Sequence, residues 1–309
     1  MNGPLRFSIV IPCYNYGHWL ARAVASVLAQ DGDDWELLVI DDGSTDDTAQ
    51  VARELLAHHP GRLRFLSQPN RGAAAVRNRG IDETRGDYLI FLDADDELAP
   101  DALAAYRELL VRLPDADLLA GAHRACAANG RCRPRPVGRL PASRKRRLHC
   151  YLFAKTLHLC NGATAFHRRV FALRRYPEAL RATEDIPVFA LVLATGEIAV
   201  TDAVLAIIHH HPGSLRCDAE RAAAAAPGLL DEIFGAAMPA WAEAYRERYR
   251  AQRQLSLFRT CYLAGDTARA LDCYHQALRA SPLTALGRWS YLSKYLRLRC
   301  GWSPGRRRR

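Results

Sequence analysis

A chain of 309 residues, 49% hydrophobic and 25% charged, has the composition of an ordinary folded protein and length for one large domain or two modest ones. Its net charge of +10 suits an anionic partner, whether nucleic acid, a membrane surface or a phosphorylated substrate, without choosing among them. The opening MNGPLRFSIVIPCYN carries no signal-like apolar run, and IPVFALVLA falls short of the ~20 residues that cross a bilayer, so a cytoplasmic location is expected.

The elements follow in alternation. FSIVIP (7–12) is a continuous apolar run suited to a buried parallel strand. HWLARAVASVLAQ (18–30) places Trp19, Leu20, Ala23, Val24, Val27 and Leu28 on one helical stripe. WELLVI (35–40) is a second strand, and Ser44 to Asp47 forms a capping-box-like start to the helix through TAQVARELLAHH. LRFLSQ (63–68) is a third strand, followed by a helix over about 72–84. DYLIFL (87–92) is a fourth strand, and Pro100 stands where proline opens the next helix. Repeated strand–helix units with short connections predict a mostly parallel, three-layer α/β sheet.

The four strands end in CYN, DDGSTD, QPNRG and DADDE. Ligands of an open parallel sheet bind beyond the carboxyl ends of its strands, so these polar clusters converge on one edge. The first turn, Tyr14-Asn15-Tyr16-Gly17-His18, matches neither GxGxxG nor GxxxxGK[ST], which argues against a glycine-cradled phosphate. Asp93, Asp95 and Asp96 could instead hold a divalent cation, Mg²⁺ or Mn²⁺, that neutralises a diphosphate. A solvated acidic turn is the plain alternative for such a motif standing alone.

SIVIPCYN, WELLVIDDGSTDDT, NRGAAAVRNRGI, GDYLIFLDADD and TEDIPVF occur in one order and spacing. Over about Phe7 to Ser214 the chain resembles family 2 glycosyltransferases. That resemblance implies a GT-A fold, a nucleotide-diphosphate sugar donor, a divalent metal and inversion at the anomeric carbon. By the same resemblance Pro12, Tyr14 and Asn15 line the nucleotide pocket, and Asp42 contacts base or ribose while Asp41 caps the turn. Arg77 and Asn78 lie where a cation meets the diphosphate. Asp93 and Asp95 belong to the donor site, Asp95 and Asp96 to the metal, and Asp185 is the general base. His211 and Ser214, in HHHPGSL, match a frequent H-x-x-S element, with His211 a candidate metal ligand. The chain departs from many relatives in carrying Ile208-His209 where they show Tyr-Arg. Of HHH, only His209 and His211 would share a face of an extended segment.

Residues 118–177 contain no acid and include the basic stretch RCRPRPVGRLPASRKRR, expected as a loop; NGATAFHRRVF is expected to return to the sheet on the acceptor side. Nine cysteines without CxxC spacing read as reduced thiols, Cys126 and Cys132 being the nearest pair. The expected domains are 1–215, catalytic, and 216–309, a helical extension. Within the extension, 255–282 resembles one tetratricopeptide-type hairpin. The last segment is a basic amphipathic helix on which Leu286, Trp289, Leu292 and Leu296 fall near one face, a candidate for an anionic membrane surface.

The expected activity is inverting transfer from a nucleotide-sugar, a UDP-sugar by expectation, to a cell-envelope glycan or lipid-linked acceptor. The alternatives are a nucleotidyltransferase, which would want a glycine-rich basic signature after the first strand, and a non-catalytic nucleic-acid-binding protein. The second would want aromatics among its basic residues. Residues 131–147 hold none, so no nucleic-acid partner is expected.

Overall fold

The computed structural model describes residues 6–211 and 226–300. The chain divides into two compact units, 1–217 and 218–309.

The first unit opens with β1 (Phe7–Cys13), α1 (Gly17–Leu28), β2 (Trp35–Asp41), α2 (Thr48–His58), β3 (Leu63–Ser67), α3 (Ala73–Glu83) and β4 (Tyr88–Phe91). β5 (Glu97–Leu98), α4 (Ala102–Arg112), β6 (Leu118–Ala127), β7 (Cys132–Arg135) and α5 (Arg144–His149) come next. β8 (Thr164–His167), α6 (Val170–Leu173), α7 (Asp185–Thr195) and β9 (Ile198–His210) complete it. One sheet runs β3-β2-β1-β4-β8-β6-β9-β5, with β7 paired to β6. The parallel half covers β1 to β4. Antiparallel β8 beside β4, and antiparallel β5 beside β9, make the whole sheet mixed.

Within the parallel half, β1, β2 and β4 are buried on both faces, as a continuous apolar run requires, while β3 at the edge exposes Arg64 and Ser67. Phe7, Ile9, Ile11, Leu37 and Val39 meet α1 and α4. Their neighbours Val10, Leu38, Ile40, Leu89 and Phe91 meet Val76 and Ile81 of α3 and Val188, Phe189 and Val192 of α7. Period-two alternation thus feeds two hydrophobic layers from one strand. A buried phenylalanine such as Phe91 stabilises this stack by about 3–5 kcal/mol relative to alanine.

Four local expectations are corrected. Ser44 does not cap α2: Asp46 Oδ1 accepts from Thr48 N at 3.0 Å, while Ser44 Oγ accepts from Asn15 N at 2.9 Å. Pro100 precedes α4 by two residues, and Asp101 stands between them at φ 60°. The basic stretch expected as a loop begins with β7, which folds back on β6 in a hairpin. That hairpin also corrects the reading of reduced thiols. Cys126 and Cys132 are direct cross-strand partners and are disulfide-bonded, because antiparallel register puts their side chains on one face.

The second unit contains α8 (Ala226–Ile233), α9 (Arg246–Ala264), α10 (Thr267–Ala280), α11 (Pro282–Leu286) and α12 (Trp289–Arg299). α9 and α10 form a hairpin about Gly265, at φ 79°, and Asp266 caps α10 by accepting from Arg269 N at 3.0 Å. Leu255, Phe258, Tyr274 and Ala277 form its core.

Candidate active site

β4 ends at Phe91, and the chain continues through Leu92 into Asp93-Ala94-Asp95-Asp96. This turn is closed by Asp96 N donating to Asp93 O at 3.0 Å. One ligand oxygen from each of Asp93, Asp95 and Asp96 lies within 4.8 Å of the others. β9 returns antiparallel beside β5, pairing Ile207 with Glu97, and so delivers its last histidines to the same place. His209 N donates to Asp96 Oδ1 at 2.8 Å, and its ring Nε2 lies 2.7 Å from Glu97 Oε1. His211 Nε2 lies 2.9 Å from Asp95 Oδ2. Alternation along β9 therefore puts His209 and His211 on the acids, while His210 is exposed. Ser214 lies outside the described residues.

Burial, and then the neighbouring Asp93, push the Asp95 carboxyl above its usual value, with His211 working the other way. The Tyr16 hydroxyl is pushed up to about 12 by burial and then by Asp95, Asp93 and Asp96. Negative charge is thus concentrated at a strand end of low solvation. Three carboxylates and one imidazole make an oxygen-rich donor set of the kind that suits Mg²⁺ or Mn²⁺, so the residues present fit a divalent cation.

Arg77, on α3, connects this turn to α7. It is 4% exposed, donates from Nη2 to Asp93 Oδ1 at 2.9 Å and from Nη1 to Glu184 Oε1 at 2.7 Å, and lies over the Tyr176 ring at 5.4 Å. Burial opposes its charge, but Asp93 and Glu184 outweigh burial and raise its pKa. Glu184 immediately precedes Asp185, the half-buried first residue of α7. Ala182, in the loop before them, holds φ 64°, a left-handed conformation that costs a non-glycine residue about 1–2 kcal/mol.

The other strand ends are bound to one another. Asn15 sits at φ 58°, a conformation asparagine tolerates, and its Oδ1 accepts from Thr45 N at 2.7 Å. Asp41 caps its turn, accepting from Ser44 N at 3.0 Å and Ser67 Oγ at 3.1 Å. Asp42, expected to touch base or ribose, is 3% exposed and accepts from Gln68 Nε2, Arg71 N and Gly72 N at 2.7–2.9 Å. Its carboxylate holds the QPNRG loop in shape. Asn78 is likewise committed, bonding Tyr176 O at 2.8 Å and Tyr176 N at 3.0 Å. Pro12 is half-buried at the end of β1, and Tyr14 is 45% exposed on the turn.

Sequence reading missed several neighbours. Trp19, assigned to the core stripe of α1, instead stacks on His211 with ring centroids 5.9 Å apart. Arg22 lies over Trp19 at 4.5 Å and donates to Asp95 O at 2.5 Å. A tryptophan in the first turn of a helix that follows a ligand-facing strand end was the available signal. Glu184, buried against Arg77, is a further such neighbour.

The profile described as Glycosyl transferase family 2 matches residues 8–174. The chain belongs to glycosyltransferase family 2. Its fold is that of the GT-A enzymes. It matches TarS residues 1–349 of S. aureus in complex with UDP-GlcNAc at TM-score 0.70 and 18% identity, over 96% of this chain and 92% of that one. It matches the mannosyltransferase PcManGT of Pyrobaculum calidifontis, in complex with GDP-Man and Mn²⁺, at TM-score 0.56 and 20% identity, over 96% and 85%. Chondroitin synthase of Escherichia coli is 46% identical over 96 residues, 31% of this chain and 14% of its own length. YibD, an uncharacterized glycosyltransferase of E. coli K12, is 36% identical over 118 residues, 38% of this chain and 33% of its own. The chain therefore aligns with a third or less of these curated family 2 relatives.

Proposed function

We propose that this family 2 enzyme transfers a sugar, with inversion, from a UDP-sugar to a hydroxyl of a cell-envelope glycan or lipid-linked acceptor. The observation that carries the reading is the Asp93-Asp95-Asp96 cluster at the carboxyl edge of the parallel strands, joined through Arg77 to Glu184 beside Asp185. The UDP-GlcNAc and the GDP-Man with Mn²⁺ bound by its structural neighbours support a nucleotide-sugar donor and a metal-assisted site. The sugar-polymer synthase among its relatives supports a glycan acceptor.

Asp95, Asp96 and His211, with Asp93 beside them, would hold a divalent cation, which when bound offsets the charge of the leaving diphosphate. Asp185 takes the acceptor hydroxyl proton as that oxygen bonds to the anomeric carbon. The bond from this carbon to the diphosphate oxygen breaks on the opposite face, and the nucleoside diphosphate departs with the electron pair. Arg77 keeps Asp93 and the start of α7 in one register, so that proton acceptor and donor site hold a fixed relation. Tyr14, Pro12 and Asn15 line the nucleoside side of the cleft, which Asp41 and Asp42 shape by fixing its loops.

Proton NMR of the first sugar released from α-linked UDP-sugars, with water standing in for the acceptor, tests the chemistry. The β anomer and UDP are expected. An α anomer overturns inversion, and release of UMP with the sugar 1-phosphate would favour nucleotidyl transfer instead.

A further inference from the structure

We propose that α11 and α12 form a docking surface for an anionic lipid membrane, a role independent of the transfer reaction. Their inner side is fixed by packing: Ala285 and Leu298 are buried, and Tyr291, Leu292 and Tyr295 pack on the core of α9 and α10. Tyr295 stacks on Tyr274 with centroids 4.2 Å apart, and Tyr274 Oη donates to Ala285 O at 3.1 Å. Leu292, expected on the outward apolar face, therefore belongs to the interior. The outward side keeps Leu283 at 88% exposure, Trp289 at 73%, Leu286 at 51% and Leu296 at 48%. Leu283 and Leu286 share one side of α11 by their spacing of three, and Trp289 and Leu296 share one side of α12 by their spacing of seven. Large apolar side chains grouped this way on a packed scaffold mark a contact surface.

Charge selects the occupant. From Cys273 to Arg309 the sequence has no aspartate or glutamate, but carries Arg279, Arg288, Lys294, Arg297, Arg299 and four closing arginines. Arg288 and Arg297 flank Trp289 and Leu296 in the chain and are exposed. A second copy of a chain of net charge +10 would be repelled. Nucleic acid would satisfy the arginines yet leave Leu283, Leu286 and Trp289 in water. An anionic bilayer interface takes both: leucine and tryptophan enter the headgroup boundary while the cations meet lipid phosphates. No described helix is long and apolar enough to cross a membrane, so this contact lies in the interface plane.

The test is co-sedimentation of the full chain with phosphatidylcholine vesicles, with and without a minor share of phosphatidylglycerol. Pelleting with the anionic vesicles and not the neutral ones is expected, weakened by added salt. The triple variant Leu283→Ser, Leu286→Ser, Trp289→Ser should lower the partition coefficient at least about tenfold, with thermal midpoint and donor binding unchanged because all three side chains face out. Arg299→Gln alone should lower it about fivefold. Equal pelleting with neutral vesicles, or undiminished pelleting of the triple variant, overturns the proposal. So would self-association, or RNA retention, that replaces vesicle binding.

Discussion

At the residue scale the proposed mechanism gives Asp185 the proton transfer and Arg77 the positioning, and their substitutions should fail differently. A general base contributes about 10²- to 10⁴-fold to rate. Asp185→Asn should therefore cut kcat by that order while leaving the donor Kd within about twofold, as read by initial rates and calorimetry on one preparation. Unchanged turnover would remove Asp185 from the role. Arg77 is buried between two acids, and deleting one member of a buried ion pair typically costs about 3–5 kcal/mol. Arg77→Ala should lower stability by that order in urea melts, leaving Glu184, with 11% of its side chain exposed, without its counter-charge. The motif Arg77-Asn78 was visible in sequence, but its geometry was not. A side chain that reaches from α3 to both Asp93 and Glu184 depends on long-range packing that no local pattern encodes.

Among the elements, the strand ends show how the sheet builds its site. Gly43 sits at φ 72°, and a Cβ there would come 2.9 Å from Asn70 N. Gly43→Ala should cost about 1–2 kcal/mol from the left-handed backbone alone. It should also weaken donor binding, because it pushes apart loops that Asp41 and Asp42 hold together; a melt and a donor titration check both effects. This level was legible where periodicity speaks. The four parallel strands, the helices between them and the acidic turn after β4 all follow from apolar runs and punctuating polar clusters. It was less legible where pairing decides. The β6–β7 hairpin and its Cys126–Cys132 bond join a basic, proline-bearing stretch to a strand, and only cross-strand register makes those cysteines neighbours. Trp19 fell on a helical stripe by spacing, yet the return of β9 gave it His211 as a partner.

For the molecule as a whole, fixed charges contribute to acid sensitivity. Arg107 donates to both oxygens of Asp34, from Nε at 3.1 Å and Nη2 at 2.5 Å. Those bonds hold the Asp34 carboxyl below its usual value against the opposing effect of burial. A carboxyl depressed in the folded state stabilises it above the unfolded pKa, about 3.9. That stabilisation is lost as pH falls through the lower folded value. Asp34→Asn should thus be less stable than wild type at pH near 7, and the difference should shrink toward zero below the unfolded pKa of about 3.9. Urea melts across pH measure it; a difference constant with pH would contradict this origin. That the last part of the chain is helical was readable from its sequence. Which apolar residues of the last helices face outward was not, because Leu292 shares its spacing with Trp289 and Leu296 and only packing against α9 and α10 tells them apart.

The central claim is that Asp93, Asp95 and Asp96 form a cation-dependent nucleotide-sugar site, and titration calorimetry tests it most directly. UDP-GlcNAc and other nucleotide-sugars would be titrated into the wild type and Asp95→Asn, with Mn²⁺ and with a chelator. At least one donor should bind the wild type with Mn²⁺, and lose roughly tenfold or more in affinity, about 1.4 kcal/mol, with the chelator or in Asp95→Asn. Binding that is indifferent to both metal and Asp95, or absent for every nucleotide-sugar, would contradict the account.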